Sequence, residues 1–263
     1  MKIEFLYHGG AVGATGFLTL PVQENMDIQA SVALPITGGH GSARVENCRH
    51  RNYFSFRMAE SHVVGSHSKT DHGYGTLATT TIEGLNIMDV VTCDRIFARL
   101  TAKYPEDRKQ EPCFIPLGSR FENLRIAGHP INVKLATDVF ASNPSWGALA
   151  KAYAQPPAKE KDPATKSVKE DLDLLSPDVA KNGFPKAGST LFCTLARGLD
   201  VLPAGLSRKD HGIYVPHFGT VFLAEYYASA SAHRLLMLRV ELGCSVEGGY
   251  GMGGCDTNGG WPP

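Results

Sequence analysis

Short apolar stretches separated by polar residues, glycines and prolines run along most of the chain, and this pattern predicts β-strands. Pro21 and Pro35 close two predicted strands within residues 12–36. The run Thr79-Thr80-Thr81 favours another strand over 76–82, because β-branched side chains are restricted in helices and fit well in sheets. We predict further strands over residues 42–64, 90–100, 121–126, 131–135, 220–227 and 234–242.

The middle of the chain departs from this pattern. Apolar side chains at helical spacing follow Pro144, and residues 167–175 predict a second short helix. The charged segment over 158–169 has few apolar residues, which is typical of a linker. A segment of about fifty residues with few large apolar side chains makes a poor independent core. We therefore predict a helical insertion over residues 138–186 within a single β domain, 1–263.

The order of these elements predicts the fold class. About nine or ten strands separated by turns are typical of a barrel or of two packed sheets. The alternating βαβ units of a doubly wound parallel sheet are missing from the pattern. We therefore predict a mainly β protein, built as an antiparallel barrel or a two-sheet sandwich with a short helical insertion.

Composition and charge exclude some partners. Lysine plus arginine and aspartate plus glutamate number 26 each, which gives a formal net charge of zero. Nucleic acid and anionic membranes both require a cationic surplus, so we expect neither as the main partner. The apolar runs are only a few residues long, so we predict no membrane span. The first residues lack the apolar stretch of a secretory signal, and we expect a cytoplasmic protein unless a signal has been removed.

The glycine-rich end of the sequence predicts a tail. No helix former follows residues 248–254 to place a helix N-terminus against a phosphate, so we predict a turning segment packed on the end of the β domain. Trp261 and the two prolines after it are expected to anchor on a neighbouring subunit, because they form a rigid apolar contact. Most of the six cysteines are predicted to be buried thiols. The exception is the pair Cys244 and Cys255, which we predict to form a disulfide.

The most informative segment begins at Arg44. In an uninterrupted strand, alternate side chains from Arg44 to Met58 share one face, which then carries both charged and apolar residues. Such a face lies either at a solvated sheet edge or around a cavity, and the edge is the favoured interpretation. In a cavity, a histidine and a glutamate would form an acid–base pair. The candidate catalytic residues are His50 or His62 as the histidine, Glu46 or Glu60 as the glutamate, and Arg44 as the neighbouring charge.

Three histidines recur every five residues, at His62, His67 and His72. Positions five apart lie on opposite faces of a strand, so these imidazoles meet only if a turn at Gly65 reverses the chain. With that turn, three imidazoles on one loop can bind zinc or a similar divalent metal. Without a metal, the segment is a polar surface loop whose histidines face water. No other cofactor is indicated.

A second combination of charged residues surrounds Glu225. His211 precedes the predicted strand that contains this glutamate, and a buried glutamate facing a histidine forms an acid–base pair in many β-barrels. Arg234 and Arg239 lie on the next predicted strand and offer an ion pair instead. We favour the ion pair, which is a structural role.

Two classes of function remain. The sequence contains no nucleophile elbow, His-Glu-x-x-His motif or EF-hand loop. We therefore predict a non-catalytic β protein for ligand binding or homo-oligomeric assembly, whose partner is a small-molecule ligand or a second copy of the chain. The alternative is a small-molecule enzyme, an isomerase, lyase or hydrolase, with a His/Glu acid–base pair in a barrel lumen. If residues 44–52 line an enclosed cavity, the enzyme is favoured. If they lie at an open sheet edge, assembly is favoured.

Overall fold

The computed structural model describes residues 4–70, 72–155, 167–186, 188–199 and 201–262. Strands make up 56% of the chain and helices 12%, so the fold is mainly β as predicted. In chain order the strands are β1 (Gly9–Leu20), β2 (Glu24–Ala33), β3 (Gly39–His50), β4 (Phe54–Ser68), β5 (Gly73–Ile87), β6 (Val91–Pro105), β7 (Cys113–Ile115), β8 (Arg120–Glu122), β9 (Arg125–Ile126), β10 (His129–Pro130), β11 (Lys134–Leu135), β12 (Leu191–Thr194), β13 (Ala196–Arg197), β14 (Ser207–Lys209), β15 (Gly212–Val215), β16 (Gly219–Ala228), β17 (His233–Gly243) and β18 (Glu247–Thr257).

Most strands belong to two antiparallel sheets. The first sheet has the order β14-β15-β16-β17-β18-β1-β2, with β12 also paired to β16. The second has the order β10-β9-β6-β5-β4-β3, with β7 and β8 also paired to β6. Both sheets are open. Of the two predicted architectures, the barrel and the two-sheet sandwich, the structure therefore has the sandwich.

The core lies between the two sheets and is mainly apolar. Phe54, Ile82 and Ile96 of the second sheet are buried there, as are Tyr226 and Met252 of the first. Hydroxyl groups join the sheets inside this core: Thr76 Oγ1 lies 2.6 Å from Thr257 Oγ1, and Tyr104 Oη lies 3.2 Å from the same atom. These buried hydroxyls partner one another, which avoids the cost of leaving a buried polar group unpaired.

In the second sheet, a row of residues interrupts the alternation of inward and outward side chains. The strand register aligns Asn47, Arg57, Gly84, Asp94 and Asn123 across neighbouring chain segments. Every second member has a left-handed backbone, with φ of 52° at Asn47, 66° at Gly84 and 53° at Asn123. The inward positions shift by one residue at this row, so β4 buries Phe56 before it and Ala59 after it.

The first sheet contains a matching row. Its register aligns Ala30, Gly13, Gly253, Met237 and Ala224 on five adjacent strands. The left-handed members are again alternate, with φ of 47° at Ala30, 67° at Gly253 and 50° at Ala224. Glycine and asparagine tolerate this conformation, whereas alanine pays a steric cost, so the fold itself enforces it at Ala30 and Ala224.

Helices occupy the segment where the insertion was predicted. They are α1 (Thr137–Ser142), α2 (Trp146–Ala154), α3 (Val168–Leu175) and α4 (Pro177–Asn182). A capping box starts α3: the Glu170 amide donates to Ser167 Oγ at 3.2 Å, and the Ser167 amide donates to Glu170 Oε2 at 2.6 Å. Residues 158–166 of the predicted linker lie outside the described residues. Within the described residues, no helix has the length and apolar character needed to cross a bilayer.

The glycine-rich segment is the largest correction to the sequence prediction. Instead of forming a tail, it is β18, which pairs with β17 on one side and β1 on the other. Trp261 packs against its own chain, with its ring 5.2 Å from the rings of both Phe5 and Tyr74. The predicted Cys244–Cys255 disulfide is also wrong, since both cysteines are free thiols.

Candidate functional site

The first group of predicted catalytic residues lies at the open edge of the second sheet. Arg44 and Glu46 lie on its edge strand β3, pair with each other, and have side chains 55% and 56% exposed. Glu60 lies opposite Arg44 on β4, and its Oε1 is 3.2 Å from His62 Nε2. These four side chains therefore form a solvated edge, which is the interpretation that the charge pattern favours.

His50 does not belong to this group. The prediction that Arg44, Glu46 and His50 share one face is wrong, because the left-handed Asn47 shifts the alternation between them. Arg44 and Glu46 are exposed, whereas His50 is only 6% exposed and faces the core with Phe54 and Phe56. The structure brings His50 together with neither Glu46 nor Glu60.

His50 instead joins the two sheets near the end of the sandwich. Its Nδ1 lies 2.9 Å from the hydroxyl of Tyr250 on β18, and its Nε2 lies 3.4 Å from Glu24 Oε1 on β2. Arg51 Nε donates to Glu24 Oε2 at 2.6 Å. The Arg51 hydrogen bond, with the charges of Arg51 and His50, holds the pKa of the Glu24 carboxyl below its usual value. The histidine thus has a carboxylate neighbour, but from the opposite sheet.

The three candidate metal ligands do not meet. Strand β4 continues through Gly65 without the expected turn, so His62 and His67 lie about 17 Å apart along it at normal strand rise. His67 Nε2 lies 2.6 Å from Glu106 Oε1, and His72 Nδ1 lies 3.8 Å from Glu106 Oε2. Among the described residues, which exclude the neighbouring Asp71, no group of three or more histidine, cysteine or acidic side chains could hold a metal.

A cavity on the outer face of the first sheet follows strand β18. Its floor includes Gly249 and Gly251, which carry no side chains, and its volume is about 490 Å³. Phe17 of β1 and Leu236 of β17 form apolar walls on either side of this floor. Because the walls are two strand spacings apart, the cavity is about 10 Å wide. We call it the glycine trough.

One end of the glycine trough is charged. Arg239 and Glu241 line it and pair with each other. Arg239 also binds the buried Glu225, donating from Nε to Oε2 and from Nη2 to Oε1 at 2.7 Å each. His211 Nε2 lies 2.8 Å from Glu225 Oε1. The favoured ion pair between Glu225 and Arg239 is thus confirmed, and the histidine joins it.

Two opposing effects act on the Glu225 carboxyl. Burial raises its pKa, whereas the hydrogen bonds and charges of Arg239 and His211 lower it. The partners prevail, so the pKa of Glu225 lies below its usual value and the side chain is an anion at neutral pH. The Arg239 guanidinium also stacks on Phe222, 3.8 Å from the ring centre, which fixes its orientation toward the trough.

Sequence reasoning missed the glycine trough because it assigned the floor to a tail. The signal was present: Gly249 and Gly251 are two residues apart, the spacing of side chains on one face of a strand. Glycine inside a strand often marks a site where another molecule approaches the backbone closely.

Comparison with protein families adds one finding. A family model for a domain of unknown function, DUF8256, matches residues 5–229. The chain belongs to DUF8256. The matched residues end just after β16, so β17 and β18, which carry Leu236, Arg239 and the trough floor, follow the matched part of this DUF8256 protein. Comparisons with curated proteins and with solved structures give no match.

Proposed function

We propose that this chain is a non-catalytic binding protein whose glycine trough holds a small, elongated and mainly apolar molecule with one positively charged end. The observation that carries the proposal is the glycine floor on a central strand, which leaves an apolar channel where a sheet normally carries side chains. A volume of about 490 Å³ lies within the range of small-molecule sites.

The charged end supports a cationic group on the ligand. The single guanidinium of Arg239 contacts two carboxylates, Glu225 and Glu241, so carboxylates outnumber guanidinium groups at this end. Glu241 is the more exposed of the two carboxylates and lines the trough, whereas Glu225 is buried. A ligand ammonium group would pair with Glu241, while its apolar part would lie between Phe17 and Leu236.

Calorimetric titration with three matched probes tests this proposal: n-octylammonium, n-octanol and n-octanoate. We expect octylammonium to bind most tightly and octanoate most weakly, because only the first complements the net charge. Gly251→Val should weaken octylammonium binding about tenfold by filling the floor with apolar volume. The atoms nearest to a Cβ at Gly251 belong to the Leu236 and Thr15 side chains and lie no closer than 3.8 Å, so the variant should fold.

Gly75→Val is the matched control. Gly75 lies on strand β5 of the second sheet, outside the trough lining, and a Cβ there would also have ordinary contacts, at 3.8 Å to the Ser66 carbonyl and 3.9 Å to the Ala102 carbonyl. The control should bind octylammonium like the wild type. Equal affinity in Gly251→Val and the wild type, or tighter binding of octanoate than of octylammonium, would refute the proposal.

Homo-oligomeric assembly is a second candidate function, supported by a separate observation. Four large apolar side chains on the β1–β2 hairpin are 44–62% exposed: Phe17, Leu20, Val22 and Ile28. Strand β2 is also an edge of the first sheet. Exposed apolar groups beside a sheet edge favour contact with another protein surface, which for a symmetric dimer is the same hairpin of a second copy.

A further inference from the structure

A second cavity lies at the end of the second sheet, away from the trough floor. It has a volume of about 210 Å³ and lies between the turn after β3 and the turn after β5. The Met88 amide donates to the Tyr53 carbonyl at 3.0 Å and joins the two turns. We call this cavity the hairpin pocket, lined among others by Arg49, Arg51, Asn52, Ser55, Asn86 and Asp89.

Several hydrogen-bond donors that line the hairpin pocket have no partner among the described residues. Within the part of the chain that the structure describes, the side chains of Arg49, Asn52 and Ser55 have no hydrogen bond or ion pair. Arg51, by contrast, is held by Glu24. A guanidinium, an amide and a hydroxyl are thus all available to one small cavity, and an oxyanion is the ligand that accepts from all three.

The opposite wall carries an acceptor. Asp89 Oδ1 accepts from Asn86 Nδ2 at 2.6 Å, and the Asp89 amide donates to Asn86 Oδ1 at 2.8 Å. This reciprocal pair fixes the Asp89 carboxylate at the pocket. A negative charge there disfavours a dianion and favours a ligand that offers its own hydrogen-bond donor.

Backbone conformation at the same pocket supports a functional role. Arg51, Met88 and Asp89 have φ of 52°, 54° and 57°. The turn that contains Met88 and Asp89 requires left-handed residues and is usually built from asparagine and glycine. A left-handed methionine there costs stability, and strained residues of this kind cluster at ligand sites.

We propose that the hairpin pocket binds a small carboxylate that also carries a hydroxyl or amino group, such as a 2-hydroxy or 2-amino acid. The Arg49 guanidinium holds the carboxylate with help from Asn52 and Ser55. Asp89 accepts a hydrogen bond from the hydroxyl or amino group. The small volume limits the ligand to a few non-hydrogen atoms.

The test is calorimetric titration of the full chain with glycolate, acetate and inorganic phosphate. Glycolate should bind most tightly, because acetate lacks the hydroxyl and phosphate carries a second charge. Arg49→Gln should weaken glycolate binding at least about tenfold through loss of a charge-assisted contact. Arg44→Gln is the matched control, since Arg44 lies on the same strand, is exposed and is outside the pocket.

Asp89→Asn tests the contact to the ligand's hydroxyl or amino group separately from the contact to its carboxylate. Asparagine tolerates the left-handed backbone, so this variant should fold. It should lose the preference for glycolate over acetate while still binding acetate. Glycolate affinity that is unchanged in Arg49→Gln, or equally reduced in Arg44→Gln, would overturn the proposal, as would tighter binding of phosphate or no binding of any of the three anions.

Discussion

His233 illustrates how a single buried side chain can make stability depend on pH. Its Nε2 lies 3.0 Å from the Ser229 carbonyl, which can only accept, so Nε2 carries the proton. Nδ1 therefore accepts from the Tyr226 hydroxyl, and the ring stacks on Phe114. Burial lowers the pKa of His233 to about 3, so the imidazole is neutral in the folded protein.

The sign of the pH effect follows from this pKa. An unfolded histidine titrates near 6.5, so between about pH 6.5 and 3 the unfolded chain binds one proton more than the folded chain at this residue. The contribution of His233 to stability is present above pH 6.5 and decreases by about 1.4 kcal/mol per pH unit below it.

Urea denaturation of the wild type and His233→Gln at several pH values measures this contribution. We expect the variant to be less stable at pH 7, and the difference in free energy of unfolding to shrink by about 1.4 kcal/mol per unit below pH 6. If the two curves stay parallel from pH 7 to pH 4, His233 takes up its proton in the folded protein over the same pH range as in the unfolded chain, and the assignment is incorrect.

Pairings between residues were predictable only when both partners lay on neighbouring strands. Glu225 and Arg239 satisfy this condition, and their ion pair could be inferred from the sequence. Glu24 and His50 lie in different sheets, so no spacing along the chain indicates their contact. The unpartnered Arg49 likewise has no signature in sequence, because the absence of a neighbour depends on the whole fold.

At the scale of strands, the two rows of left-handed residues explain the main error of the sequence analysis. The alternation of side chains along a strand correctly predicts which residues share a face of the sheet on either side of such a row. It fails for residues on opposite sides of the row, as at Asn47. Asn47 and Gly84 are residue types that tolerate this conformation and could have indicated the second-sheet row. Ala30 and Ala224 could not, because alanine gives no such indication.

The strain at Ala224 has a measurable consequence. Ala224→Gly removes a buried methyl group, but it also removes the strain of a left-handed alanine. That strain amounts to about 1 kcal/mol. Ala228→Gly, on the same strand and equally buried with an ordinary backbone, removes the methyl group without that relief. Urea denaturation should show Ala224→Gly to be more stable than Ala228→Gly by about 1 kcal/mol. Equal losses would indicate that Ala224 is unstrained.

At the scale of the molecule, the proposed assembly depends on the β1–β2 hairpin. Ile28 is 62% exposed there. We expect the wild type to be oligomeric in size-exclusion chromatography with light scattering, and Ile28→Lys to be a monomer, because a buried lysine charge would disrupt an apolar contact. Val64→Lys changes an exposed apolar residue on the other sheet and should leave the mass unchanged. A monomeric wild type would contradict this proposal.

The general architecture could be predicted because it depends on local patterns. Alternation and turn residues indicated antiparallel strands. The apolar side chains at helical spacing after Pro144 indicated α2, and residues 167–175 indicated α3. The central position of β18 could not be predicted, because its pairing with β1 joins residues about 250 positions apart, such as Gly9 and Thr257. The glycine trough depends on that pairing: the spacing of Gly249 and Gly251 could indicate one face of a strand, but not which strands flank it.

This position of β18 also constrains how the protein is made. Among the described strands, β1 leaves the ribosome first and β18 last, yet the two are hydrogen-bonded neighbours. Strands β3 to β6 join in sequence as hairpins and can form while translation continues. The first sheet cannot be completed until β18 has been synthesised. Until then the edges of β1 and β17 lack their hydrogen-bonding partner, and rapid pairing with β18 is needed to prevent aggregation.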